Sequence, residues 1–202
     1  MMIRFRTAWI AVLCVGILPA HSQNTYSATK GGVPLTVGVG ISNFDTNWVD
    51  STGNYSRRMD GATLWADWSF RTLSHHLNGL SAEVEGRDIS FARPVQLPNM
   101  RFDTAEVGLL YAWQKHHLFH PYAKYLMGLG SVDFPGVPGY QHDTRTVTAP
   151  GVGIDIYATH SLWVRADYEY QFWPQLSYHG GSIEPNGVTI GVVYDFAGMH
   201  RR

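Results

Sequence analysis

Residues 162–172 read LWVRADYEYQF, with Leu162, Val164, Ala166, Tyr168, Tyr170 and Phe172 on one phase of a two-residue period. Trp163, Arg165, Asp167, Glu169 and Gln171 fill the other phase. Successive side chains of a strand point to opposite faces, so this segment has one greasy face and one charged face. The sorting recurs at Ala62, Leu64, Ala66, Trp68 and Phe70, at Ala105, Val107, Leu109, Tyr111 and Trp113, and at Val188, Ile190, Val192, Tyr194 and Phe196. A chain built of such segments folds as sheet. A soluble barrel would hide the apolar phase inside, whereas a membrane barrel turns it outward to lipid.

The N-terminus reads as an export signal. Arg4 and Arg6 precede an apolar run from Thr7 to Leu18, followed by Pro19 and the small residues Ala20 and Ser22. That run is shorter than the roughly 20 residues of a helical span, and the pattern is that of a secretory signal peptide over residues 1–22, cleaved after Ser22. Cys14, the single cysteine, lies within it, so the exported chain makes no disulfide. Bulky Leu13 before Cys14 argues against a lipoprotein signal. The chain has 15 Lys and Arg against 16 Asp and Glu, and loss of Arg4 and Arg6 moves the formal charge from −1 to −3. Such a balance does not call for a nucleic-acid partner. Beyond residue 22 no apolar run is long enough for a helical span, so any membrane crossing falls to strands.

Eight segments with period-two character are expected, at about 34–44, 60–70, 80–89, 103–115, 121–132, 148–158, 161–172 and 186–196. Each matches the roughly 9 to 11 residues of a tilted transmembrane strand. The links at 43–58, 90–101, 133–146 and 173–185 are long and rich in Gly, Pro, Asn and Asp, and shorter ones alternate with them at 71–79, 116–120 and 159–160. This is the asymmetry of an up-and-down outer-membrane barrel with short periplasmic turns and longer external loops. An even strand number returns the C-terminus to the side of the N-terminus, and closure removes unpaired edges. The organisation expected is a signal at 1–22, a periplasmic segment at 23–33, an all-β, eight-stranded antiparallel up-and-down transmembrane β-barrel at 34–196, and a periplasmic tail at 197–202.

Strand charges are expected on the phase opposite to the apolar residues: Asp67, Glu83, Glu85, Arg87, Glu106, Lys124, Asp155, Arg165, Asp167, Glu169 and Asp195, with none on the apolar phase. Gly38, Gly40, Gly108, Gly128, Gly130, Gly151, Gly153 and Gly191 share the charged phase. Glycine weakens a strand and gains nothing on a solvated surface, whereas inside a narrow barrel it makes room for long neighbours such as Arg165 and Glu169. The charged phase is therefore placed inside, and the soluble lipocalin-like, ligand-binding barrel becomes the alternative. Phe70, Trp113, Tyr194 and Phe196 at the short-turn end, with Tyr168, Tyr170 and Phe172 at the long-loop end, form the expected aromatic girdle of the two membrane interfaces.

With its export signal, eight-strand pattern, the segments LWADWSF, PYAKYLMGLG and VRADYEYQF, and a final strand GVTIGVVYDF, the chain resembles the small bacterial outer-membrane β-barrel proteins of OmpA or OmpX type, often described as porin family. The resemblance spans essentially the whole exported chain. It implies an integral protein of the Gram-negative outer membrane, with lipid and the barrel-assembly machinery as partners. The family usually ends on an aromatic residue; here Phe196 has that place but AGMHRR follows. No OmpA-type C-terminal cell-wall-binding domain is expected. Because the fold hosts several functions, the role is argued from the residues.

Glu83, Glu85, Arg87, Glu106, Lys124, Asp155, Arg165, Asp167 and Glu169 are expected to form an interior charge network of salt bridges, since side chains fill an eight-stranded barrel. Three bases face eight acids on that phase once Asp67 and Asp195 are added, so a narrow, cation-preferring path is the functional alternative, and a wide pore is not expected. His75, His76, His116, His117, His120 and His160 gather on the short-turn side, where turns accept His readily, and no metal or cofactor is assigned to them. A lipid-modifying enzyme is the other alternative, with His160 beside Ser161, and Ser182 and Glu184 near His179. Neighbours on a strand point to opposite faces, and no catalytic residue is assigned. The aromatic, Pro/Gly-rich stretches FPGVPGY (134–140) and WPQLSYHGG (173–181) are where a surface ligand would be met. The expected role is structural, surface-interacting or narrow-channel, and not enzymatic. The folded protein should fractionate with outer membranes and change gel mobility on heating in detergent; a soluble, unshifted protein would move the lipocalin-like reading to first place.

Overall fold

The computed structural model describes residues 33–50, 53–55, 58–70, 77–90, 101–114, 118–136, 139–174 and 182–196. The expected signal at 1–22 and tail at 197–202 lie outside them, as do His75, His76, His116, His117 and His179. The described residues form ten strands: β1 (Leu35–Asp45), β2 (Trp48–Asp50), β3 (Gly53–Tyr55), β4 (Arg58–Ser69), β5 (Leu80–Ser90), β6 (Arg101–Ala112), β7 (Phe119–Gly136), β8 (Gly139–Thr159), β9 (Leu162–Tyr170) and β10 (Asn186–Asp195). Eight of them close into a barrel in which each pairs with its chain neighbour, and β10 closes on β1. All these pairings are antiparallel. β2 and β3 make a separate two-stranded sheet in the β1–β4 link. Among the described residues no helix is long and apolar enough to cross a membrane.

Period two decides the faces. Ile41 is 73% exposed, and Leu64, Leu129 and Ile190 are each 60% exposed, while Glu83 and Glu169 are 0% exposed. A soluble barrel would show the reverse, so the apolar phase is the outer wall and the charged phase the interior. Lipid makes the arrangement favourable: the outward Val, Leu and Ile side chains meet hydrocarbon, and closure of the wall leaves no strand edge unpaired.

Three expectations are corrected. First, residues 133–146 do not form a loop. β7 and β8 stay paired from Phe119↔Ile156 out to Gly136↔Gly139, far past the last β6 pairing at Arg101↔Asp133. The β-branched residues of Thr144, Thr146, Val147 and Thr148 favour the extended backbone, and the Pro and Gly that read as loop signals cluster near the tip. Second, the apolar phase does carry charges. Asp60, Asp88 and Asp103 face outward at the long-loop end, where Arg101 joins Asp88 at 2.8 Å and Asp103 at 3.0 Å, and Asn43 donates to Asp60 at 2.6 Å. They stand beyond the mid-strand apolar residues, in the wet zone where exposed pairs contribute about 0–1 kcal/mol.

Third, the interior glycines make room chiefly for rings, not for Arg165 and Glu169. A side chain on Gly38, Gly40 or Gly191 would collide with the Trp65 ring, one on Gly130 with Trp173, and one on Gly153 with Tyr122, while Gly151 lies against the Lys124 stem. At the turn side, Gly79 has φ 91°, a conformation that favours glycine, and its carbonyl accepts the Ala112 N–H at 2.8 Å.

The lipid-facing wall gives a depth-dependent expectation. Ile190→Arg, at mid-strand in β10, should cost about 2–4 kcal/mol of folding into bilayers, and Val164→Arg, nearer the short-turn end of β9, should cost less. Urea titration of the protein refolded into lipid vesicles reads both, and equal, negligible costs would show that this wall does not face lipid.

Candidate functional site

Alternation on β4, β5, β6, β7 and β9 points a set of acids and bases at one another across a narrow lumen. The register sets Asp67 directly opposite Glu83, and Glu85 directly opposite Glu106. Like charges facing each other across a strand pair destabilise it, so the fold needs cations that each touch several acids. Arg165 spreads its fork over three: Nη2 to Asp67 at 2.8 Å, Nη1 to Glu83 at 3.0 Å and Nε to Asp155 at 2.8 Å. Lys124 Nζ sits among Glu85 (2.6 Å), Asp167 (2.9 Å), Glu169 (3.1 Å) and Glu83 (3.3 Å). Arg87 holds Glu169 at 2.6 Å, pairs with Glu85 and donates to Thr63 at 3.2 Å.

Neutral donors and rings complete this layer. Tyr122 donates its hydroxyl to Asp167 at 3.1 Å, and Thr36 donates to Asp67 at 2.9 Å. The Arg165 guanidinium lies 4.9 Å from the Tyr122 ring centre and 5.2 Å from that of Trp65. Ser42 is hydrogen-bonded to Thr63 and, at 2.8 Å, to Thr189. The nine residues named as an interior network thus all lie on the inward phase. Glu106 is reached by Gln171, which donates to it at 3.2 Å, and Asp155 is half-buried toward the short-turn mouth. Asp195 lies half-buried at that same end.

Above this layer, at the long-loop end, the interior turns apolar. Phe44, Met59, Ile89, Phe102, Val132, Val147, Trp173 and Ile183 form one buried cluster, none more than 5% exposed. Trp173 meets Phe102 edge to face at 5.6 Å and occupies the space beside Gly130. Its Nε1–H donates to Gln171 Oε1 at 2.9 Å, and the Gln171 amide donates in turn to Glu169 at 2.8 Å and to Glu106. Arg87 stacks 4.2 Å from the centre of the Phe44 ring. An apolar lid therefore rests on the ionic layer and is bonded to it at two points. Sequence reading missed the lid, although Phe44, Ile89, Phe102 and Val132 stand on the charged phase at the loop ends of their strands and could have signalled it.

At the opposite mouth His120 stacks on Trp163 at 4.6 Å, and Tyr157 meets Trp163 edge to face at 5.2 Å. His160 lies 3.4 Å from the Tyr157 hydroxyl, and the Ser161 carbonyl accepts the Asp195 N–H. Among the described residues no group of three His, Cys, Asp or Glu is arranged to hold a metal ion. On the outer wall, Tyr194 and Phe196 form an edge-to-face pair at the short-turn end, and Trp113 packs on Tyr111 there, with Phe70 half-buried. Tyr170 and Phe172 pair at the long-loop end, where Tyr168 is exposed.

Comparison with known proteins places this architecture. The family model for the outer membrane protein beta-barrel domain matches residues 10–196. Among solved structures the chain is similar to neisserial surface protein A, at 12% identity and a TM-score of 0.66, over 82% of this chain and 99% of that one. It is also similar to Ail, the attachment invasion locus protein of Yersinia pestis, at 15% identity and a TM-score of 0.57, again over 82% and 99%. No curated protein sequence matches the chain.

Arg165 carries the sharpest energetic expectation. Arg165→Leu leaves Asp67, Glu83 and Asp155 buried without their shared cation and should cost about 3–5 kcal/mol of stability. Adding Asp67→Asn and Glu83→Gln should recover part of the loss, which urea unfolding in vesicles measures; a neutral single substitution would show that the ionic layer contributes nothing to stability.

Proposed function

Because this chain belongs to the outer membrane protein beta-barrel domain family, we propose that it is a closed, non-enzymatic barrel of the bacterial outer membrane that acts through its outward-standing end. Export uses the N-terminal signal, cleaved after Ser22. The short turns stand in the periplasm and the long loops outside, with the aromatic pairs at the two membrane interfaces. Its partners are outer-membrane lipid, the barrel-assembly machinery during insertion, and a surface ligand met by the loops and the β7–β8 hairpin.

One observation carries the closed reading: the lumen is filled twice over, by the Arg87, Lys124 and Arg165 layer and by the Trp173 lid above it. An eight-stranded barrel has an interior just wide enough for side chains, and here they span it. A path for solutes would have to part buried ion pairs, which cost several kcal/mol each to break. With transport set aside, the parts left to act are those outside the wall. The likeness to a neisserial surface protein and to an attachment protein is a likeness of fold. The surface reading rests on this chain's own hairpin, which continues well past the barrel rim.

The refolded protein in planar bilayers should show no large, steady conductance. Replacing the tip of the β7–β8 hairpin with a two-residue turn should leave the barrel folded and heat-shiftable on gels while abolishing cell-surface adhesion conferred by the intact chain. Steady nanosiemens-scale conductance would overturn the closed reading, and unchanged adhesion would overturn the role of the hairpin.

A further inference from the structure

We propose that Gln171 and Trp173 form a strap that seals the outer mouth of the lumen, and that its withdrawal admits water and small cations, in preference to anions, to the ionic layer beneath. The inference rests on the closed-barrel reading and adds a moving part to it.

The strap is attached differently from the wall. Trp173 follows β9, and the strap's backbone is held by isolated bonds: Trp173 N–H to Ile183 O at 3.0 Å and Ile183 N–H to Trp173 O at 3.2 Å on one side with Gln171 N–H to Pro185 O at 2.7 Å, and Phe172 N–H to Thr148 O at 2.8 Å on the other. The eight wall strands, by contrast, are each paired with a neighbour on both sides by extended ladders, the β8–β9 pairing carrying one register shift at Tyr157 to Thr159. The ring is seated in a slot that exists because residue 130 is glycine, so what fills the lumen there is the Trp173 side chain and not the wall itself.

Gln171 is what couples lid to ionic layer. Its carbonyl oxygen accepts from Trp173, and its amide serves both Glu106 and Glu169. A second oxygen of Glu106 and the hydroxyl of Thr104 are buried and find no partner among the described residues. Closing buries apolar surface of Trp173 and Ile183; opening lets water reach polar atoms that are unsatisfied when shut. These opposed tendencies meet at the strap, where apolar burial and unsatisfied polar atoms lie side by side. What an opened mouth would expose first is acidic, since Glu106 and Glu169 lie directly beneath Gln171 and the acids of the layer outnumber its bases. Cations are therefore favoured over anions at this mouth.

Thiol labelling tests the proposal. In a Cys14→Ser background, Thr104→Cys places one thiol beneath the lid, and the folded barrel in vesicles is treated with a positively or a negatively charged methanethiosulfonate. Gln171→Leu, which cuts the link while keeping Trp173, and Trp173→Phe, which keeps a ring but loses its N–H, should each raise the rate for the cationic reagent at least ten-fold over the unaltered strap, and for the anionic reagent far less. Heat-shifted mobility reports that each variant is folded. Unchanged rates, or equal acceleration with both charges, would sink the strap. Rapid labelling with the strap unaltered would instead sink the closed-barrel reading, a separate failure.

Discussion

Three cations hold acids that the strand register would otherwise set against each other. Once lipid requires the charges of the membrane section to point inward, β4, β5 and β6 set carboxylates directly opposite one another on neighbouring strands, as at Asp67 and Glu83. A surface pair of this kind would be relieved by water and salt, but neither screens a filled barrel. Arg165 and Lys124 answer from β9 and β7, so their bridges to Asp67, Glu83 and Glu85 tie strands that are not neighbours in the sheet. The ladder joins each strand only to the next, whereas these bridges act as crossbars through the interior. The cross-section is therefore fixed by charge as well as by closure.

The interior also changes chemistry with depth. Near the short turns it is aromatic and polar, in the middle ionic, and near the long loops apolar. The order is physically sensible at the outer end, where an apolar lid keeps water off ion pairs that are strongest when dry. Glycine is what lets rings enter so narrow a lumen: Trp65, Tyr122 and Trp173 each occupy volume that a side chain on a nearby glycine position would fill. Small and large residues thus interleave across the axis as they do in other small barrels.

Much of this was legible in the sequence, for a definite reason. Period two reports which face a residue takes, and the confinement of Arg165, Asp167 and Glu169 to one phase and of Tyr168 and Phe172 to the other is a local property of the chain. The number of barrel strands and their order follow from it, whereas the direction of the charged face rests on the glycines that share its phase. Period two is silent about height along the barrel, so Asp88 and Asp103 were not recognised as lying beyond the apolar belt. It is equally silent about pairing register and about what meets inside the lumen, so Gly38 could not be matched to its cross-strand partner Trp65, nor Gly130 to Trp173. The lid escaped because Trp173 and Ile183 lie in a link, outside any periodic segment, and meet Phe102 and Val132 only when the barrel closes.

The longest strands, β7 with 18 residues and β8 with 21, continue from lipid into the space outside without a break in pairing. At a rise of about 3.3 Å per residue, Gly139–Val147 alone runs roughly 30 Å along the strand. The same two strands carry Val132 and Val147 into the lid. A sideways push on the tip is thus applied to a lever whose short arm ends inside the lumen, and whatever bends the hairpin is felt as strain against Phe102 and Trp173. Mechanical load on the hairpin and packing within the barrel are, in this molecule, two ends of the same pair of strands.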